Sequence, residues 1–399
     1  MRPLKLLHKT LKKELPFIHK LRMNTLMTAV QALFEGNKLS LTKLGRSLVS
    51  SAKTRSNIKR MDRLLGNEQL QTELPEFYHA MNQMIISPNS TAWIHIDWSC
   101  ISSTTNIYVL RASLSMQGRA IVVYEEAHPK KNENNHETHV AFLNNLKKVL
   151  PINVKPIIVT DAGFRGPWFK HVLELNWDFI GRLRNINSIK LHDETSWCKS
   201  HLLYANATAV PDYVGHGILT HKNKVPCQFI RYKSKSKKRT KLNKNKKICR
   251  SGHSQKHARS HKEPWVLVTS LKATSSLAQK VVKIYSQRMQ IEENFRDTKC
   301  SRYGFSLKES GTQSPGRMGV LLLIGAIANF IAWVAGIETQ LTDKESDYQA
   351  QSSKFKSVLS VVTLGREALK KRIYMSMRRF LKIINIMKNI ASSQPELAF

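Results

Sequence analysis

The sequence WIHIDW at residues 93–98 alternates apolar and polar side chains, a pattern typical of a half-buried β-strand, and we predict that this strand ends at Asp97. Two apolar, β-branched segments follow at residues 106–114 and 120–124, with Gly118 in turn position between them. Together the three segments predict an antiparallel meander.

The next elements alternate between helix and strand. Residues 137–150 have apolar side chains at helical spacing, and residues 156–160 have the apolar composition of a buried strand that ends at Asp161. Pro167 can open a further helix, and residues 177–183 predict another strand. Three strands, a helix, a strand, a helix and a strand indicate an α/β fold with a mixed sheet, and an RNase H-like catalytic core has this order.

A long segment at residues 185–262 interrupts this order. It is too long for a loop inside a compact domain, so we predict an inserted unit. Its second half, residues 231–262, holds fourteen Lys or Arg residues and no Asp or Glu, which favours contact with DNA phosphates. Four potential zinc ligands recur there at four-residue steps: Cys249, His253, His257 and His261. Poor helix propensity and the basic surroundings disfavour zinc.

These boundaries divide the chain into five predicted parts. They are a helical DNA-binding domain, the first part of the core, the basic insertion, the second part of the core and a C-terminal helical region: residues 1–85, 86–184, 185–262, 263–340 and 341–399.

The chain is strongly basic. Its 399 residues include 64 Lys and Arg against 28 Asp and Glu, which gives a formal net charge of +36 and a pI near 10.2. The expected partner is a polyanion, DNA first and an anionic membrane surface second. Five scattered cysteines without a C-x-x-C pair argue against a disulfide framework and favour a reducing cytoplasm, and no signal for export is apparent.

Two apolar features raise the alternative of a membrane protein. Residues 319–337 are apolar except for Asn329 and are long enough to span a bilayer, but the segment is single and rich in Gly and Ala, which favours a buried helix of a soluble protein. After residue 340 an apolar stripe recurs at helical spacing: Phe380, Ile383, Ile384, Met387 and Ile390. A membrane-surface helix is compatible with this stripe, but packing or dimerisation is the commoner use.

The N-terminal part predicts a helical hairpin. Ser40 or Thr42 can cap a short helix, and a second helix extends from Thr54 to Gly66. Four cations project from the second helix: Arg55, Lys59, Arg60 and Arg63. This arrangement resembles a helix-turn-helix DNA-binding motif, and an ordinary amphipathic hairpin with a solvated basic face is the alternative.

One predicted helix carries four polar residues that recur at helical spacing: Tyr285, Arg288, Glu292 and Lys299. On a continuous helix their offsets place them within an arc of roughly 60°. Glu293 and Asp297 point to the far side, so Glu292 is the candidate metal ligand and Glu293 is expected to be solvated. A helix ion pair between Arg288 and Glu292 is the structural alternative.

Asp97, Asp161 and Glu292 supply the hard oxygen ligands that two Mg²⁺ ions need above a DNA phosphate. One ion would activate the nucleophile and the other would stabilise the leaving oxygen. Three further side chains would contact neighbouring phosphates: Tyr285, Arg288 and Lys299.

The pattern Y-x₂-R-x₃-E-x₆-K at residues 285–299 resembles the YREK signature of the insertion-sequence-four family of DDE transposases. The motifs IDWS at 96–99 and TDAGF at 160–164 are similar to that family's acidic motifs. LLGN at 64–67, with the preceding basic helix, resembles its N-terminal domain. The resemblance extends over nearly the whole chain and weakens after about residue 340.

This resemblance implies an RNase H-like catalytic domain with a β-rich insertion, and cut-and-paste transposition through a DNA hairpin. It implies Mg²⁺, or Mn²⁺ as a substitute, together with terminal inverted-repeat DNA, target DNA and a homodimer in the synaptic complex. The implied location is the bacterial cytoplasm, in association with the nucleoid and without a membrane. Trp265 would stack on a flipped base, although a core tryptophan beside Val266 is the alternative.

A non-catalytic DNA-binding regulator, such as a transposition repressor, is the rival interpretation. In such a protein the basic charge binds DNA and the acidic residues are structural. Metal-dependent nicking of a labelled transposon end distinguishes the two.

Overall fold

The computed structural model describes residues 1–102, 104–184, 187–234, 251–252, 263–302, 304–349 and 358–392. The chain forms two compact units. Unit 1 comprises Met1–Pro156 and Met289–Phe399, and unit 2 comprises Ile157–Arg288. This partition by contacts differs from the five predicted parts, which remain a proposal about domains.

Unit 1 contains the predicted meander. Its three antiparallel strands are ordered β3-β2-β1 and have these bounds: β1 Trp93–Ser102, β2 Ile107–Ser115 and β3 Ala120–Pro129. Gly118 has φ of 79°, and a 3.0 Å hydrogen bond from the Met116 amide to the Arg119 carbonyl closes the turn. The meander is therefore confirmed.

Helices pack on these strands in unit 1. Those before and after the meander are α1 Pro3–Glu14, α2 Lys20–Gly36, α3 Leu41–Arg46, α4 Thr54–Leu65, α5 Glu68–Ile85 and α6 His136–Val149. Unit 2 contributes α7 Gly166–Glu174 and α8 Leu277–Ser286. The later helices of unit 1 are α9 Met289–Lys299, α10 Pro315–Leu341, α11 Val361–Lys370 and α12 Met377–Ser392. The helical N-terminal and C-terminal regions are thus confirmed.

Helix α10 is the core of unit 1. It is long and apolar enough to cross a membrane, yet its most apolar window is completely buried inside the protein. It packs against α2, α5, α11 and β3. At Gly336 an added Cβ would lie 2.1 Å from the Val361 carbonyl oxygen, so this glycine allows α10 and α11 to approach closely. The burial agrees with the core-helix interpretation of residues 319–337.

The C-terminal stripe also packs inside unit 1. Phe380, Ile383 and Met387 in α12 are fully buried, and the helix contacts α5 and α10. The apolar stripe of α12 therefore packs against other helices of unit 1.

Unit 2 contains a sheet in the order β4-β5-β10-β9-β8-β6-β7. Its strands are β4 Ile157–Thr160, β5 Asp178–Leu183, β6 Ser188–Leu191, β7 Cys198–Lys199, β8 Asp212–Leu219, β9 Val225–Tyr232 and β10 Trp265–Thr269. β4 and β5 are parallel, and the other pairs are antiparallel. The fold is a mixed α/β fold whose elements follow one another in the predicted RNase H-like order.

The insertion is β-rich, as predicted, but its strands extend the unit 2 sheet. β10 pairs with β5 on one side and with β9 on the other, which joins β6 to β9 to the core strands. Most of the basic segment at residues 231–262 and all four zinc candidates lie outside the described residues.

Candidate active site

A cleft of about 470 Å³ in unit 1 contains two of the three predicted carboxylates. It is lined by Asp97, Trp98, Ser99, Glu292, Phe295, Arg296, Lys299, Cys300 and Lys308. Three of these residues are cations and two are carboxylates. Such a cleft can bind a phosphate through its cations and a divalent cation through its carboxylates.

Asp97 lies inside β1 rather than at its end. The strand continues to Ser102, and Asp97 is opposite Arg111 of β2 in the register. The first four residues of β1 are buried and the next four are half-buried, so Asp97 is the position at which the strand leaves the core. The prediction of a strand end was wrong because the apolar pattern stops where burial changes, while backbone pairing continues. The Asp97 Oδ1 accepts a 2.9 Å hydrogen bond from the Trp98 amide.

Glu292 is exposed on α9, and buried contacts on the other side of this helix fix its position. The Arg111 guanidinium donates to Asn294 Oδ1 at 2.6 Å and forms an ion pair with Glu125 at 2.6 Å. Asn294 Nδ2 in turn donates to the Ala120 carbonyl at 3.2 Å. These bonds attach α9 to β2 and β3, so Glu292 projects from a helix anchored on the meander.

Glu293 was expected to be solvated and Asp297 to point away from Glu292, and the structure corrects the expectation for Glu293. Both carboxylates pair with Arg119, which follows the Gly118 turn. Asp297 is buried, and burial raises the pKa of its carboxyl, while Arg119 acts in the opposite direction. These two acidic residues therefore hold α9 on the meander.

Lys299 reaches back from α9 to β1. Its Nζ donates to Ser99 Oγ at 2.7 Å and to the Cys100 carbonyl at 3.2 Å. Burial lowers the pKa of Lys299, the Arg111 charge lowers it further, and Cys100 and Asp97 raise it. Its ammonium group is thus placed beside Asp97 within the cleft.

Unit 2 contains Asp161, which directly follows the buried strand β4. Its Oδ1 accepts a 2.8 Å hydrogen bond from the Gly163 amide, which orients the carboxylate. The predicted strand end is correct here, because β4 ends at Thr160.

Tyr285 is buried in unit 2, only 4% exposed. Its ring meets Trp265 edge to face at 4.9 Å, and the Arg182 guanidinium lies near its hydroxyl. Burial raises the pKa of Tyr285, the Arg288 and Arg182 charges lower it, and Asp161 raises it. The hydroxyl predicted to contact phosphate is therefore held among the other polar groups of unit 2.

The helix predicted to carry the whole YREK pattern is interrupted. α8 ends at Ser286 and α9 begins at Met289, and the amide of Arg288 bonds the Tyr285 carbonyl at 3.0 Å in a tight turn. The prediction that all four residues lie along one face of a continuous helix was therefore wrong. Each unit carries half of the pattern: Tyr285 and Arg288 in unit 2, Glu292 and Lys299 in unit 1.

The N-terminal hairpin is confirmed as α3 and α4. An added Cβ at Gly45 would lie 2.6 Å from the Ile58 Cα, so only glycine permits this close contact. Arg55, Lys59 and Arg63 are exposed, whereas Arg60 is half-buried and reaches Thr25 at 3.5 Å. Three of the four predicted DNA-contacting cations are thus available to a partner.

Sequence reasoning missed several residues that shape these sites: Trp98, Arg111, His139, Arg182, Arg296 and Lys308. For Arg111 a signal was present, since it is the single charge in the apolar strand β2 and a buried charge requires partners.

The carboxylates fit the chemistry of a divalent cation. Asp97 and Glu292 present hard oxygen donors to one cleft, where a phosphate can complete the ligand set. Within the described ranges, no three His, Cys, Asp or Glu side chains are grouped as a metal site. Of the predicted ligands, Asp97 and Glu292 belong to unit 1 and Asp161 belongs to unit 2.

Comparison with known proteins agrees with this chemistry. The family described as transposase DDE domain matches residues 98–313, a range that includes Asp161 and Glu292 and begins one residue after Asp97. A comparison with curated proteins gives no match. Because the family match covers more than half of the 399 residues, the chain belongs to the transposase DDE domain family.

Proposed function

We propose that this transposase performs cut-and-paste transposition and belongs to the insertion-sequence-four family, in which its motifs resemble those of the transposase of transposon ten. The observation that carries the proposal is the unit 1 cleft, where Asp97 and Glu292 line one cavity together with three cations. The family match includes Glu292 and the three cations and begins one residue after Asp97. A phosphodiester needs both features, since it carries a negative charge and is cleaved by metal-activated oxygen nucleophiles.

In the proposed site, Asp97, Asp161 and Glu292 hold two Mg²⁺ ions, for which Mn²⁺ can substitute. Bound there, the ions supply Lewis-acid activation of an oxygen nucleophile and charge stabilisation of the leaving oxygen. Lys299 and Arg288 bind neighbouring phosphates, and Tyr285 adds a hydroxyl contact.

The proposed reaction is a series of four displacements at phosphorus. Water nicks one strand at the transposon end, and the freed 3′-OH attacks the opposite strand to form a hairpin. Water then opens the hairpin, and the 3′-OH joins target DNA. All four steps transfer a phosphoryl group between oxygens, so one site serves them all.

Binding of the terminal inverted repeats is assigned to the exposed cations of α4. Arg55, Lys59 and Arg63 lie on one helix whose apolar side is buried, with Arg60 beside them. We further propose a homodimer in the synaptic complex and a location on the nucleoid in the bacterial cytoplasm, away from membranes. The family resemblance and the need to bring two DNA ends together support the dimer. The five scattered cysteines and the DNA substrates support the location.

Trp265 is proposed to stack on a flipped base. It is half-buried at the start of β10, between Tyr232 at 5.5 Å and Tyr285 at 4.9 Å, measured between ring centroids. An aromatic cluster of this kind offers a ring face to a nucleobase.

Nicking of a labelled inverted-repeat duplex by the purified protein tests the proposal. We expect Mg²⁺-dependent nicking that Asp97→Asn, Asp161→Asn and Glu292→Gln each abolish, while binding of the duplex is retained. Matched controls are Asp343→Asn and Glu76→Gln, which make the same chemical changes at exposed positions of unit 1. Robust nicking by any of the three site variants would refute the assignment. Binding without nicking by the unaltered protein would instead indicate a DNA-binding regulator.

A further inference from the structure

Trp98 is the aromatic side chain of the cleft that is open to a ligand. It is half-buried beside Asp97, whereas Phe295, the other aromatic residue of the lining, is only 3% exposed and lies beneath the Lys299 ammonium at 5.5 Å. The Trp98 indole therefore offers ring surface next to the candidate catalytic carboxylates.

Two histidines hold the Trp98 ring in place. The indole Nε1 donates a 2.9 Å hydrogen bond to His139 Nε2, and the ring centroids of Trp98 and His128 are 5.5 Å apart in an edge-to-face arrangement. His128 is itself bonded to Glu126 at 3.0 Å. A ring fixed in advance loses little conformational entropy when a ligand stacks on it.

His139 can accept this hydrogen bond because it stays neutral. Burial lowers the pKa of His139 to about 4, and the neighbouring His136 and His128 charges act in the same direction. A neutral imidazole keeps one nitrogen lone pair, and the tautomer protonated at Nδ1 places this lone pair on Nε2, where the indole N–H donates. His139 lies on α6, so a second element of unit 1 fixes the orientation of the cleft tryptophan.

The cleft combines this ring with cations. Arg296, Lys299 and Lys308 line the same cleft as Trp98, and a basic groove that contains a stacking aromatic is typical of sites for unpaired nucleotides. We propose that Trp98 stacks on a nucleobase of the DNA strand whose phosphate occupies the cleft, and that His139 is its positioning residue. This inference rests on the proposed function for the identity of the ligand as DNA, and it assigns a base contact in unit 1 in addition to Trp265 in unit 2.

Crosslinking in an inactive background tests the contact independently of catalysis. Full-length protein with Asp97→Asn is bound to inverted-repeat duplexes that carry 5-iodouracil at successive positions around the cleavage site and is then illuminated. We expect at least one position to give a crosslink that mass spectrometry maps to Trp98. Trp98→Ala should reduce that crosslink at least tenfold, and Trp98→Phe should retain at least half. Absence of a Trp98 crosslink at every position overturns the proposal.

Nicking rates of the otherwise unaltered protein provide the second readout. Trp98→Ala should lower the nicking rate at least tenfold with duplex affinity within threefold, whereas Trp98→Phe stays within threefold of the original rate. His139→Leu, which removes the acceptor, should lower both nicking and crosslinking at least threefold. His139→Gln should restore both, because its amide oxygen lies near the position of Nε2.

A loss of cooperative unfolding would reveal that Trp98→Ala is misfolded. In that case the two variants His139→Leu and His139→Gln provide the test. Equal nicking and crosslinking by His139→Leu and the original protein then overturn the positioning role. A protein that crosslinks through Trp98 but never nicks DNA would refute the proposed reaction and support the base contact. Nicking that depends on Asp97 and Glu292 but not on Trp98 would refute the base contact alone.

Discussion

Arg111 in β2 donates a 2.6 Å hydrogen bond to Oδ1 of Asn294 in α9, two residues beyond Glu292. The same guanidinium pairs with Glu125 and lies 4.3 Å from the centre of the Phe295 ring. A buried cation thus connects the meander to the helix that carries a candidate catalytic carboxylate.

Removal of the Arg111 guanidinium should lower the free energy of unfolding. Arg111→Met leaves the Glu125 carboxylate, whose side chain is 1% exposed, without a counterion, and we expect a loss of about 3 to 5 kcal/mol in the free energy of unfolding. Urea denaturation of the purified variant measures this. The double variant Arg111→Met/Glu125→Gln removes both charges and should recover part of the loss. A cost below about 1 kcal/mol for the single variant would contradict the role of Arg111 as an anchor.

Glu292 and Arg119 should separate activity from stability. Glu292 is exposed, so Glu292→Gln should change the free energy of unfolding by less than about 0.5 kcal/mol while nicking is lost. Arg119→Met leaves the buried Asp297 without its partner and should cost about 2 kcal/mol. Denaturation curves and nicking assays on both variants check this. A large loss of stability in Glu292→Gln would mean that this residue supports the fold.

The Asp297 and Arg119 pair shows what the sequence could and could not predict. The helical period correctly placed Glu293 and Asp297 away from Glu292, but their partner Arg119 is far away in the chain, so solvation was the simplest expectation for Glu293. The order of strands and helices along the chain, the core helix α10 and the strand end at Asp161 follow from local patterns and were predictable.

Two other features could not be predicted, because they too depend on residues that are distant in the chain. Gln287 and Arg288 are good helix formers, so no local signal marks the interruption between α8 and α9. Likewise Trp98 and His139 are brought together only by packing of α6 on the meander. Contacts between distant residues decide both features.

Acid should destabilise the protein through His139. Burial lowers its pKa from 6.5 to about 4, so below pH 6.5 the unfolded chain binds a proton that the folded protein excludes. The stability that this histidine contributes is fully present above pH 6.5 and is lost as pH falls to about 4. We expect a loss of about 3 kcal/mol relative to His139→Gln, which lacks the titration. Parallel stability curves for the two proteins between pH 7.5 and 4 would disprove this.

DNA binding by α4 should depend on salt in proportion to its exposed cations. Lys59→Ala and Arg63→Ala should each weaken duplex binding and reduce the slope of log affinity against log salt by about one. Arg60→Ala should have a smaller effect, since Arg60 is directed to Thr25. Fluorescence anisotropy at several salt concentrations measures the slopes. Unchanged slopes for both exposed variants would show that another surface binds the repeats.

The burial of helix α10 depends on elements that are synthesised both before and after it. As translation proceeds, α1, α2, α5 and β3 leave the ribosome before α10, so much of the surface that shields this apolar helix already exists when it emerges. The side at Gly336 is closed only when α11 arrives. Premature termination between residues 342 and 360 would therefore release a polypeptide in which part of the apolar surface of α10 is exposed. Such a surface is a target for chaperones and proteases.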